Sequence, residues 1–127
     1  MPEQPDGATL LAAVAHFLRR EAAPALQDRL AFHARVAANA LDIAAREWRL
    51  GQTAQDAARA RLTALLGHDG PMAALNGELC TRIASDAIDP ADPALLDHLW
   101  QTTLDALAID QPSYATYRAT RGQENQP

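Results

Sequence analysis

Lysine does not occur in this 127-residue chain, and all eleven basic residues are arginine. That removes every mechanism built on a lysine amine, Schiff-base chemistry and the phosphate-binding P-loop among them. Cysteine occurs once, at Cys80, so an internal disulfide framework is excluded and a reducing compartment suits the chain. Valine is confined to Val14 and Val36, and aromatic residues make up 5% of the sequence. Strands favour those residue types, so their scarcity argues against a sheet. No apolar run reaches the ~18 residues of a membrane span. Residues 1–7 hold neither a basic residue nor an apolar signal core. A net charge of −5 offers nothing attractive to nucleic acid or anionic lipid. The expected location is the cytoplasm, with neither of those partners.

What the chain does have is alanine and leucine, both strong helix formers. The expected fold is all-α, a compact bundle of about five helices with a long central second helix. The length suits a single domain, placed here at residues 8–117 with flexible termini at 1–7 and 118–127. A chain of this size buries enough surface to need no disulfide or metal staple. Thr9 reads as the first N-cap, and Pro24 ends or kinks that helix. Asp28 opens a second helix that closes at Gly51, and Thr53 with Asp56 resembles a capping box for a third that stops at Gly67. Gly70-Pro71 and Asp92-Pro93 each start a helix with proline at its first position, and Pro112 follows the last.

At 100° per residue the apolar faces can be laid out. The first helix aligns Leu10, Val14, Phe17 and Leu18, and the third aligns Ala58, Leu62, Leu65 and Leu66. The fourth aligns Met72, Leu75, Leu79 and Ile83, while the fifth gathers Leu95, Leu96, Leu99, Trp100, Leu104 and Leu107. The second helix is apolar nearly all round, through Leu30, Phe32, Val36, Leu41, Ile43 and Trp48, which predicts a buried central helix. One polar stripe remains on it: Arg35, Asn39, Asp42, Arg46 and Arg49. Asp42 is spaced to pair with Arg46 or Arg49 in an ordinary solvated face. The alternative is a docking surface, because arginine makes planar two-point contacts with carboxylate or phosphate.

His33 and Glu47 on the second helix and Asn76 on the fourth fall within apolar arcs, and Glu21 lies near enough in pattern to join them. Interior polar groups need partners, so the three form either a structural network or the lining of a small-ligand pocket. No pair among His16, His33, His68 and His98 has the i, i+4 spacing of a helical metal site, so no metal is expected. His98 falls on the polar side of its helix and should be exposed, whereas Cys80 reads as a half-buried, inert core residue. Neither Ser85 nor Ser113 sits in a Gly-x-Ser-x-Gly turn. No catalytic constellation emerges, so neither enzymatic activity nor a cofactor is expected.

Three stretches carry a resemblance. They are Arg29-Leu30-Ala31-Phe32-His33-Ala34-Arg35-Val36-Ala37-Ala38-Asn39-Ala40-Leu41, then Leu75 to Ile83 around Asn76-Gly77-Glu78, then Leu107 to Tyr114. Together they resemble a family of small bacterial helical proteins catalogued as a domain of unknown function, over roughly residues 9–117. Where members tend to have lysine near position 106 and Asn-Pro before the tyrosine, this chain has Ala106 and Gln111-Pro112. Members are typically encoded beside aminoglycoside-phosphotransferase-like kinases and acyl-CoA dehydrogenases. The resemblance therefore implies a non-catalytic accessory subunit of such a kinase, in the catabolism of hydroxy acids as CoA thioesters. A second expectation is a helical module that holds an acyl or CoA-type ligand. Self-association is compatible with either.

Overall fold

The structure is a computed structural model, and it describes residues 4–124. The fold is all-α, with no strand among the described residues. Helix α1 runs as an α-helix over Gly7–Phe17, widens to a π-helix over Leu18–Ala22 and closes with the turn Ala23–Ala25. Helices α2 (Asp28–Leu66), α3 (Met72–Ala84), α4 (Pro93–Asp110) and α5 (Ala115–Glu124) follow. The chain groups into two compact units that divide between Gln52 and Thr53, within α2.

Local chemistry accounts for most boundaries. Asp6, not Thr9, is the first N-cap: its carboxylate accepts from the Thr9 amide at 2.8 Å. The wide turn of α1 ends with the Ala23 amide bonded to the Leu18 carbonyl, just before Pro24. Proline has no amide hydrogen and its ring crowds the carbonyl four residues back, so a wide turn relieves a regular one. Gly67 takes a φ of +85° and ends α2 as a left-handed residue should. Asp92 caps α4 through the amides of Ala94 and Leu95, with Pro93 at the first helical position. Pro71 stands one place earlier in its helix than the sequence suggests, as the N-cap of α3.

Two helices expected from the sequence are one. α2 passes through Gly51 and Thr53 without a break, so its 39 residues cover both the second and third expected helices. A mid-helix glycine costs only about 1 kcal/mol relative to alanine, too little to stop a helix whose neighbours favour it. The fifth helix lies instead at Ala115–Glu124, where the buried ring of Tyr117 anchors a stretch the sequence reading left without structure.

The first unit is a helical hairpin. Asp6 feels the charge of Arg49, the ring of Trp48 lies against Gly7, and Arg19 bonds to Asn39 and Asp42. Rising positions on α1 thus meet falling positions on α2, and the two run antiparallel. The described residues this unit buries fully are all alanine: Ala8, Ala15, Ala23, Ala31, Ala34, Ala38 and Ala45. The faces expected to be buried are not. Leu10, Val14, Phe17, Leu30, Phe32, Val36 and Trp48 are all exposed, Trp48 to 64%. Small side chains let helix axes approach closely, and the longer side chains then project outward. Glycine at position 7 lets the Trp48 ring lie close, since a Cβ there would overlap the ring and push it aside.

The second unit has a conventional core. Leu62, Leu66, Leu75, Leu79 and Leu95 cluster, with Met72 and Ile88 packed against them. A leucine taken fully out of water contributes about 1.5–3 kcal/mol, against much less for alanine. The two units are therefore built on unequal apolar cores. Leu96, Leu99 and Trp100 of α4, expected to share the core, stay exposed.

Candidate interaction surface

The polar stripe of α2 is braced from outside its own helix. One guanidinium nitrogen of Arg19 donates to the Asn39 side-chain oxygen at 2.9 Å and to the Asp42 carboxylate at 2.8 Å. The pattern of α2 alone suggested that Asp42 would pair along the helix with Arg46 or Arg49. The observed partner comes from α1, because the hairpin brings position 19 opposite 39 and 42. Arg35 and Arg49 are exposed and Arg46 half-buried on the same stripe. Asn39 and Asp42 of the stripe thus serve the hairpin through Arg19, and Arg49 lies near Asp6 of α1.

The interior polar set does not exist as such. His33, Glu47 and Asn76 are each exposed. The reason is the alanine seam: once α2 buries Ala31, Ala34, Ala38 and Ala45, positions 33 and 47 fall on its outer side. Asn76 sits one residue beyond Leu75 on α3, just off the stripe that Leu75 and Leu79 bury. Glu21 is exposed as well. Cys80, expected half-buried, is also exposed.

Among the described residues the buried polar side chain is His98, 4% exposed, which the sequence pattern placed on the solvent side of α4. Arg61 of α2 donates from Nε to its Nδ1 at 3.0 Å and from a terminal nitrogen to Thr102 at 3.3 Å. Since Nδ1 accepts, the imidazole is neutral and carries its proton on Nε2. Burial, and then the neighbouring Arg61 charge, hold its pKa below the ordinary histidine value. His98 stands three residues after the buried Leu95, on the same side of α4, and Arg61, 37 positions away, supplies its hydrogen-bond partner.

His68 is the opposite case. Its Nε2 lies 2.9 Å from both Glu78 oxygens and its Nδ1 is 3.3 Å from the Asp69 carbonyl. The Glu78 contact, supported by that carbonyl, raises its pKa. Arg82 bonds to Glu78 at 3.0 Å and to the Leu66 carbonyl at 3.2 Å, which ties α3 to the end of α2. Nearby, Arg59 holds Asp69 through two bonds of 2.8 and 3.0 Å. Arg59 and the Gly70 amide keep that carboxyl below the usual range.

Three hollows of the second unit are small or shallow. One of about 180 Å³ is lined by Arg61, Ala64, Leu65, Ala94 and Asp97. Another of about 200 Å³ lies between Ala54, Ala58, Met72 and Thr102. Both fall short of the roughly 300 Å³ at which small-molecule sites begin. A broader one of about 560 Å³ spreads over Asp56, Arg59 and Asp69, two of which are bonded to each other. No cluster of three or more histidine, cysteine, aspartate or glutamate residues among the described residues has the arrangement to hold a metal ion. No helix of the described residues is long and apolar enough to cross a membrane.

Residues 24–114 match the family described as Domain of unknown function (DUF6285). The chain belongs to that family. The match takes in all of α2, α3 and α4 and begins after the wide turn of α1, so Arg19 lies outside it while Asn39 and Asp42 lie inside. No curated protein and no solved structure matches the chain.

Proposed function

We propose that this DUF6285 protein is a non-catalytic interaction subunit and that its partner is an aminoglycoside-phosphotransferase-like kinase acting on hydroxyacyl-CoA substrates. The observation that carries the reading is the Arg19–Asn39–Asp42 cluster. A stripe of independent solvated side chains would need no brace from another helix. Here the brace holds α2 against α1 beside Arg35, Arg46 and Arg49, and arginines carried on a held helix suit a carboxylate-bearing partner surface. The kinase itself enters through the resemblance of the Arg29–Leu41 motif, which forms the first half of this surface. The alternative, an acyl or CoA-type ligand held by His33, Glu47 and Asn76, loses its basis because all three are exposed.

The test is calorimetric binding of the purified kinase to wild type and to Arg35→Ala, Arg46→Ala and Arg49→Ala. Arg118→Ala is the control; Arg61 is unsuitable because it is bonded to His98. At an interface core each truncation weakens binding by about tenfold or more, whereas a solvated arginine loses almost nothing. Stripe variants that match the control show that the partner docks elsewhere. Absence of wild-type binding ends the kinase reading.

A further inference from the structure

We propose that a second copy of this chain covers the outer face of the α2 stretch 28–50, the two stretches running antiparallel about a twofold centre near residues 37 and 38. This goes beyond the kinase reading, and Arg46 is the residue the two surfaces share.

The first observation is an imbalance. The described residues that the hairpin buries fully are alanines, with Leu11, Leu18 and Leu41 half-buried, while Phe32 (57%), Val36 (46%) and Leu50 (43%) are exposed on the side of α2 away from that seam. At 3.6 residues per turn these three and the half-buried Ile43 fall within a narrow arc, a continuous apolar stripe. Two helices joined by an alanine seam gain little from water exclusion, and their larger apolar groups remain to be covered.

The second observation identifies the cover. Arg29 and Glu47 flank the stripe on one side, eighteen residues and therefore five full turns apart, roughly 27 Å along the axis. Both are exposed, and neither is engaged in an ion pair within the chain among the described residues. Asp28 and Arg46 repeat the same spacing on the other side, with the signs reversed. The face is therefore antisymmetric in charge about its midpoint. An identical helix laid against it antiparallel brings Arg29 to the Glu47 of the other copy, and Glu47 to its Arg29. Asp28 and Arg46 meet in the same way. Phe32 and Ile43 stand equally far from that midpoint, so each Phe32 is set opposite an Ile43, with the small Ala40 beside Val36 at the centre. A parallel pairing would instead set Arg29 beside Asp28 and Glu47 beside Arg46 of the other copy, and exchanging Arg29 and Glu47 would then restore nothing, which the double variant below distinguishes. Like surfaces meeting about a twofold axis must be self-complementary, and this one is.

The experiment is sedimentation equilibrium on the full chain, wild type and with Arg29→Glu, Glu47→Arg and both changes together. Wild type is expected to reach twice its 13.7 kDa. By symmetry each single change replaces two attractive contacts by two repulsive ones, so dimerisation should weaken by about tenfold or more. The double variant should recover it. The two single variants, mixed, should form the heterodimer in preference to either homodimer, because both ends then pair opposite charges. These sites are exposed, and circular dichroism verifies that each variant is folded. A wild type that stays monomeric at all concentrations overturns the proposal. So does a dimer indifferent to both single changes, or loss of kinase binding alone in a chain that never dimerises.

Discussion

At the residue scale, the chemistry of individual side chains follows from which helix face they fall on, and that separates Asn76 from His98. Asn76 is exposed on α3, so Asn76→Leu should leave the unfolding midpoint unchanged or slightly raised, since leucine is the better helix former. A loss of about 1 kcal/mol or more in thermal unfolding would show that its amide is engaged after all. The two perturbed histidines act on stability with opposite signs. His98 has a lowered pKa, so below about 6.5 the unfolded chain takes up a proton that the folded one refuses, and its contribution is lost on acidification. His68 has a raised pKa, so its contribution is fully present below about 6.5 and is lost as pH rises through its folded value. Urea unfolding at pH 5 and pH 8 checks both. His98→Gln should shift the balance of stability toward the acid side, and His68→Gln toward the alkaline side. The reverse order would contradict the hydrogen-bond assignments of both rings. The hydrogen-bond partner of His98 was illegible in the sequence because it lies 37 positions away on another helix.

At the scale of elements, start and stop signals were legible wherever the backbone chemistry is obligatory. Asp92-Pro93 opens α4 and Gly67 closes α2, since a capping carboxylate and a left-handed residue have few substitutes. Gly51 misled because glycine permits a stop without compelling one. Its backbone is helical, and an added Cβ would meet only Glu47 Cγ at 3.4 Å. Gly51→Ala should therefore stabilise the protein by about 0.5–1 kcal/mol. Denaturant unfolding checks this; a destabilised variant would mean that α2 breaks at that point. The alanine seam was hidden for a different reason. Periodicity weights the largest apolar residues, so Leu10, Val14 and Phe17 looked like the buried face of α1. Close packing of two helices instead selected the smallest residues on the opposite side.

At the scale of the whole molecule, all-helical architecture was legible from composition, and the Arg29–Leu41, Leu75–Ile83 and Leu107–Tyr114 stretches pointed to a domain of unknown function, which the match over residues 24–114 gives as DUF6285. The stripe on α2 was legible as a set of residues; its brace was not, because Arg19 belongs to a different helix outside the family match. The candidate site therefore rests on a surface whose parts sequence periodicity finds and whose organisation only the hairpin supplies. One measurement tests the account most directly: the phosphoryl-transfer rate of the aminoglycoside-phosphotransferase-like kinase on a 4-hydroxyacyl-CoA, with this protein titrated in. The rate should rise and saturate at a fixed ratio of the two proteins. The triple variant Arg35→Ala, Arg46→Ala, Arg49→Ala should shift the titration to higher concentration. A kinase rate that is flat across the whole titration would contradict the interaction-subunit reading.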